Sequence, residues 1–203
     1  MNRAIIVLGH GPSKEQDPGA VNKASGMSEF VWNEDFILNF LIPQMRKWGI
    51  PFSLVRRTKA RVMPWREVNA VAKSGDICIS FHANAFKENV GDGFEVLYYH
   101  TSKNSKRLAT LLRDNANPAI GNRLRWGIDD KGESVENGLI PISKATVRGY
   151  PLLRNTSTPC ALLEPFFIGT DKELANINDK KREYATAVCK SILDYYKKKN
   201  RRW

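Results

Sequence analysis

Two of the three histidines in this chain, His10 and His82, each stand just after a short apolar run, in IIVLGHG and ICISFHAN. A histidine at a strand end can project over the edge of a sheet, and two of them on central strands make part of a metal site. A catalytic zinc takes three protein ligands from His, Asp, Glu and Cys and leaves a fourth position open. The acid best placed to complete the set is Glu29, in GMSEFVWN, at the entry to the helix that follows the His10 loop. A second acid, Glu164, interrupts the apolar run ALLEPFF. An ionised carboxylate is costly to bury without a partner, so that position calls for either a catalytic role or a buried ion pair. Taken singly, each residue also has an ordinary reading: a strand-end histidine is held by hydrogen bonds, and a helix-start acid is a cap. The third histidine, His100 in LYYH, has no acid beside it and is expected at the surface of an edge-like strand.

The elements that must position these residues follow from the hydrophobic pattern. Strands are predicted over 3–8 (RAIIVL), 51–57, 76–84, 93–100 and 159–167, with His10 and His82 at the ends of the first and third. One helix is predicted over 34–48, where Ile37, Leu41, Met45 and Trp48 share a face, with Gly49 closing it and Pro43 kinking or splitting it. Others are predicted over 64–75, over 103–116 (Leu108, Leu111 and Leu112, ended by Asn117-Pro118) and over 172–198 (Tyr184, Val188, Ile192 and Tyr195). Residues 119–150 show no period and contain Gly121, Gly127, Gly132, Gly138 and Gly149, so they read as a long loop with one short element at most. Strands alternating with helices predict an α/β fold, a single three-layer domain whose mostly parallel or mixed central sheet has about five to six strands. Ligands of such sheets sit beyond the carboxyl ends of strands.

With 203 residues, 42% of them hydrophobic, the chain suits one domain over 1–203, with 197–203 a basic tail. No run approaches the roughly 20 apolar residues of a membrane span, which excludes stable membrane insertion by a helix. The first apolar run lacks a cleavage site and leads directly into GHG, so synthesis in the cytosol without a signal peptide is expected. Cys78, Cys160 and Cys189 are odd in number and not spaced as a metal or redox pair, and they read as small buried hydrophobes. Thirty-two Lys and Arg against 21 Asp and Glu give a net charge of +11, an attraction to polyanions such as anionic wall or lipid surfaces. The basic residues gather only at the tail, and no nucleic-acid-binding motif accompanies them, so no nucleic-acid partner is expected.

The motifs together resemble the zinc-dependent N-acetylmuramoyl-L-alanine amidases, the cell-wall hydrolases of bacterial autolysins and phage endolysins. GHGPSKEQDPGAV is similar to that family's opening GHGG and DPGA with a four-residue insertion between them, and SEFVWN is similar to its helix-start Glu and Asn. ISFHAN resembles ISxHxN, and LRNTSTPCALLEPFFIGT resembles LRxTxxPAxLxExxFxxN, with Gly169 and Thr170 where Asn is common. The resemblance covers nearly the whole chain. It implies zinc ligands at His10, Glu29 and His82, a catalytic acid/base at Glu164, and a metal-adjacent or substrate-orienting Asn84. Glu34 competes with Glu29 as the third ligand.

The implied reaction is hydrolysis of the amide joining N-acetylmuramic acid to the L-alanine of the peptidoglycan stem. The implied setting is a phage or prophage lysin, monomeric, that reaches the wall after holin-dependent release. Two alternatives stay open at this point: a zinc carboxypeptidase or other amidase on a similar sheet, and a non-catalytic basic module that binds wall polymer or nucleic acid.

Overall fold

The computed structural model describes residues 2–13, 17–56, 64–86, 91–128 and 133–199. The middle of the insertion after His10, the end of the second predicted strand at Arg57, Gly132 and the tail from residue 200 lie outside them. The first half of the chain forms β1 (Ala4–Leu8), α1 (Glu29–Phe36), a π-helical turn (Ile37–Leu41), α2 (Ile42–Lys47), β2 (Phe52–Val55), α3 (Pro64–Val71), β3 (Ile77–Phe81) and β4 (Glu95–Tyr99). The second half forms α4 (Lys103–Ile120), β5 (Trp126–Ile128), β6 (Ser134–Glu136), β7 (Leu139–Ile142), α5 (Tyr150–Asn155), β8 (Cys160–Glu164), α6 (Asp171–Asp179) and α7 (Lys181–Lys199).

Six strands make one mixed sheet in the order β2-β1-β3-β8-β4-β7. The first four run parallel, and β4 joins β8 antiparallel with β7 parallel to β4. Along β1, Ala4, Ile6 and Leu8 face one core with α1, α2, α4 and α7, while Ile5 and Val7 face a second core with α3 and α5. Strands covered on both faces need apolar residues at every position, and β1, β3 and β8 are buried throughout. This is the expected single three-layer α/β domain. Cys78 and Cys160 are register partners on β3 and β8, and these two and Cys189 are buried free thiols.

Several local expectations change. The helix expected over 34–48 begins five residues earlier, at Glu29. Next to Pro43 a π turn, in which Ile42 N–H reaches back five residues to Ile37 O, divides α1 from α2. Pro118 does not end α4, which runs on to Ile120 and stops at Gly121 in the left-handed conformation. Burying Ile120 completely is worth about 1.5–3 kcal/mol, and its carbonyl is capped by Asn176 Nδ2 (2.9 Å) and Lys180 Nζ (2.7 Å), which offsets the cost of proline near a helix end. The fourth strand is not an edge, since β4 lies between β8 and β7, although His100 beyond it is exposed as expected. Finally, 119–150 is not a plain loop: it holds the end of α4, the β5-β6 hairpin, the edge strand β7 and the start of α5. The last predicted helix is two, α6 and α7, and Tyr184, Val188, Ile192 and Tyr195 of α7 are all buried.

Candidate active site

The parallel pairing of β1 with β3 brings the two strand-end histidines together. Gly9 N–H donates to Phe81 O (3.3 Å) and His82 N–H to Leu163 O (3.0 Å), so backbone pairing continues past the named strands up to the two imidazoles. Their ring centroids lie 5.0 Å apart at 78°. Glu29 arrives from the opposite direction at the first position of α1, whose N-cap is Ser28. The DPGA segment covers that helix start, with Ala20 O accepting from Glu29 N–H (2.8 Å) and Pro18 O from Phe30 N–H (3.0 Å). The backbone donors are thereby satisfied without the Glu29 side chain, which is free to turn toward the sheet.

Glu29 Oε1 sits 3.1 Å from His10 Nε2 and 3.0 Å from His82 Nδ1, and it accepts from Ala83 N–H at 2.9 Å. The three ligand atoms all lie within 4.8 Å of one another. Tetrahedral bonds of about 2.0–2.1 Å to nitrogen and oxygen separate neighbouring ligand atoms by about 3.3 Å, so this donor set suits zinc in both chemistry and spacing. The remaining ring nitrogens also have partners of the kind that orient a metal-ligating histidine. His82 Nε2 is 3.2 Å from Ser80 Oγ, and His10 Nδ1 is 3.2 Å from Asp17 Oδ2 in an ion-pair contact that is not an aligned hydrogen bond.

Two glycines keep this space open. A Cβ on Gly9 would come within 2.0 Å of His82 Cε1, and one on Gly19 would meet Glu29 Oε2 at 2.6 Å at a φ of +77°. Gly9 of GHG and Gly19 of DPGA are therefore spacers beside two of the three side chains of the triad.

Glu164 closes β8, and the antiparallel junction with β4 sets Glu95 directly opposite it. Both carboxylates are buried. Arg148, from the segment between β7 and α5, donates from Nη1 to Glu164 Oε1 and Oε2 (2.9 Å each) and to Asn84 Oδ1 (2.9 Å), while Nη2 pairs with Glu95 Oε1. Arg125 Nε lies 3.1 Å from Glu95 Oε2. A cavity of about 430 Å³ is lined by His10, Glu29 and His82 on one side and by Glu164 and Arg148 on the other.

Electrostatically the two sides differ. Burial alone would raise the Glu29 carboxyl, but the hydrogen bonds and charges of His10 and His82 hold it well below the usual carboxylate range. Burial likewise works to lower His10, yet Glu29 and Asp17 leave it above its ordinary value. For Glu164 burial wins: Arg148 and His82 pull the carboxyl down, Glu29 pushes it up, and the net direction is upward.

The structure thus brings His10, Glu29, His82 and Glu164 to one cleft. Glu34 points elsewhere, into an ion pair with Arg56 (2.9 Å). Asn84 is buried and bonded to Glu95 (Nδ2 to Oε1, 2.6 Å) and Arg148, so it lies behind the cleft wall. Sequence reasoning missed Glu95, Arg125, Arg148, Asp17 and Ser80. Glu95 carried a signal, an acid inside the apolar strand GFEVLYYH just as Glu164 is inside ALLEPFF, whereas Arg148 had none because nothing periodic surrounds it.

Solved structures with this architecture include the N-acetylmuramoyl-L-alanine amidase of Clostridium difficile 630 (TM-score 0.73, 22% identity, 98% of each chain covered). A second is the catalytic domain of the amidase CwlV from Bacillus (Paenibacillus) polymyxa var. colistinus (TM-score 0.74, 22% identity, 97% of this chain and 99% of that one). A third is the catalytic domain of an endolysin targeting Clostridia difficile (TM-score 0.71, 19% identity, 96% and 98% covered). At these identities the likeness establishes the fold, and no curated protein matches the sequence. The N-acetylmuramoyl-L-alanine amidase family pattern, however, matches residues 5–194, almost the full length. With that match and the fold together, the chain belongs to the N-acetylmuramoyl-L-alanine amidase family and is an enzyme of that class.

Proposed function

We propose that this enzyme hydrolyses the amide between N-acetylmuramic acid and L-alanine in peptidoglycan, with zinc held by His10 Nε2, Glu29 Oε1 and His82 Nδ1 and with Glu164 as the proton shuttle. The observation that carries this reading is the joint lining of one cavity by the His10, Glu29 and His82 triad and by a buried carboxylate of raised pKa. Bound there, zinc supplies Lewis-acid polarisation of the scissile carbonyl and makes a water easier to deprotonate.

The protein's own groups account for the proton traffic. The Glu164 carboxylate takes a proton from the attacking water as oxygen bonds to the lactyl carbonyl carbon, and it returns that proton to the alanine nitrogen as the C–N bond breaks. The products are a free lactyl carboxylic acid and a stem peptide with an α-amino terminus. A carboxyl raised toward the working pH serves both halves of this transfer better than an unperturbed one. Glu29, with its carboxyl held low, stays an anion and suits ligation.

The net charge of +11 favours an anionic wall or lipid surface, weakened by salt. That charge and the likeness to an endolysin catalytic domain support a lysin role, and among the described residues no helix is long and apolar enough to cross a membrane. The test is Glu164→Ala loaded with zinc. Metal content should match the parent by elemental analysis, while release of alanine amino termini from purified peptidoglycan should fall by about 10²–10⁴-fold. Parental activity in that variant would remove Glu164 from the mechanism.

A further inference from the structure

We propose that Glu95 and Asn84 hold the Arg148 guanidinium as a clamp on the Glu164 carboxylate, making Arg148 a positioning residue for the proton shuttle. The inference rests on the reading of Glu164 just given. An arginine on a connecting segment, its side chain 47% exposed, loses rotamer entropy on ordering, so it needs fixed partners to remain in the cleft. The structure supplies them from below. Glu95 and Asn84 are buried, bonded to each other, and each accepts from Arg148. Glu95 is itself anchored on its far side by Arg125. Arg148 Nη1 then meets both oxygens of Glu164 at equal distance, which fixes the direction in which the carboxylate points.

A different role, anchoring an anionic group of the substrate, is disfavoured by the charge count. Arg125 and Arg148 against Glu95 and Glu164 sum to zero, so the cluster has no surplus positive charge to offer. Nor is the arrangement a generic stabilising pair. Glu95 and Glu164 oppose each other in register, where like charges on adjacent strands repel, and Arg148 is the cation between them. Without it the Glu164 side chain would swing from its present direction, and misplacements of about 1 Å cost reactions of this kind about 100-fold.

Kinetics of the zinc-loaded full chain on a soluble muramoyl peptide test the clamp. Arg148→Met should lower kcat by about 10- to 100-fold while KM stays within about twofold and zinc content is unchanged. Arg148→Lys should recover part of the loss, and Glu95→Gln should lower kcat by less than Arg148→Met because Arg148 keeps its bonds to Glu164 and Asn84. Parental kcat in Arg148→Met would overturn the proposal, as would a loss confined to KM, the mark of a substrate anchor. So would loss of zinc or of the folded state in both Arg148 variants, which would make the residue merely structural. Glu164→Ala run alongside separates the two ideas: if it is inactive while Arg148→Met is not, the clamp alone fails, and if it is fully active, the shuttle itself is wrong.

Discussion

Glu29 and Glu164 face the same cavity, each 4% exposed, yet their carboxyls are pushed in opposite directions. Burial is the same for both and cannot be the cause. Glu29 stands at a helix start and accepts from two backbone N–H groups, Ala83 and Ala20, in addition to lying between two imidazoles. Its charge is met by fixed donors on several sides, so the anion is favoured. Glu164 ends a strand opposite another carboxylate and is held by one guanidinium that it shares with Glu95 and Asn84. Desolvation then prevails. The contrast teaches that the surrounding donors, not depth, push the two buried carboxyls in opposite directions.

The strongest way to break this comparison is Glu29→Gln, which keeps the shape and removes the charge. Changes beyond the ligands typically cost about 10–100-fold in metal affinity, so loss of a ligand should cost more, with activity falling in parallel. Zinc titration checks it, and unchanged affinity would take Glu29 out of the ligand set. A smaller effect is expected from Gly9→Ala, whose Cβ displaces the His82 ring. Zinc affinity should drop by about 10–100-fold, as for altered support of a ligand, with the fold intact by circular dichroism.

The smallest and most diagnostic effect is on the pH dependence of stability in metal-free protein. Glu29 has a folded pKa below its ordinary value of 4.5, so its contribution is present above that pH and is lost as pH falls through the folded value. Glu164 has a folded pKa above 4.5, so stability declines as pH rises through its folded value. Replacing each with Gln should therefore lower the melting temperature at pH 7 for Glu29 and raise it for Glu164, with both differences shrinking in acid. Thermal melts over pH 3–7 read the two signs, and equal signs would contradict the comparison.

Legibility followed locality. The strand ends carrying His10 and His82 were readable because an apolar run terminated by a histidine is a local pattern, and parallel pairing then makes neighbours of the two. The helix carrying Glu29 was read as starting at Glu34, because its first turn shows no amphipathic stripe: Trp32, Asn33 and Glu29 are buried together there. Local grounds predict that Pro43 kinks or splits its helix, and a π turn divides α1 from α2 there, whereas the predicted end at Pro118 is overridden by the burial of Ile120. Residues 119–150 have no period because their short strands pack at the sheet's end beside loops, and there is no uniform face to repeat.

The sequence by itself determined the α/β fold, the two histidines and the placement of Glu164 in an apolar strand, since hydrophobic period and residue type act over a few neighbouring positions. Tertiary structure alone decided that Glu29 lies between the imidazoles while Glu34 pairs with Arg56, and that Arg148 reaches back across the sheet to join Glu95 and Asn84 around Glu164. Those contacts join residues 16 to 64 positions apart, and a charge's preference for one partner over another is settled by geometry that no local spacing encodes.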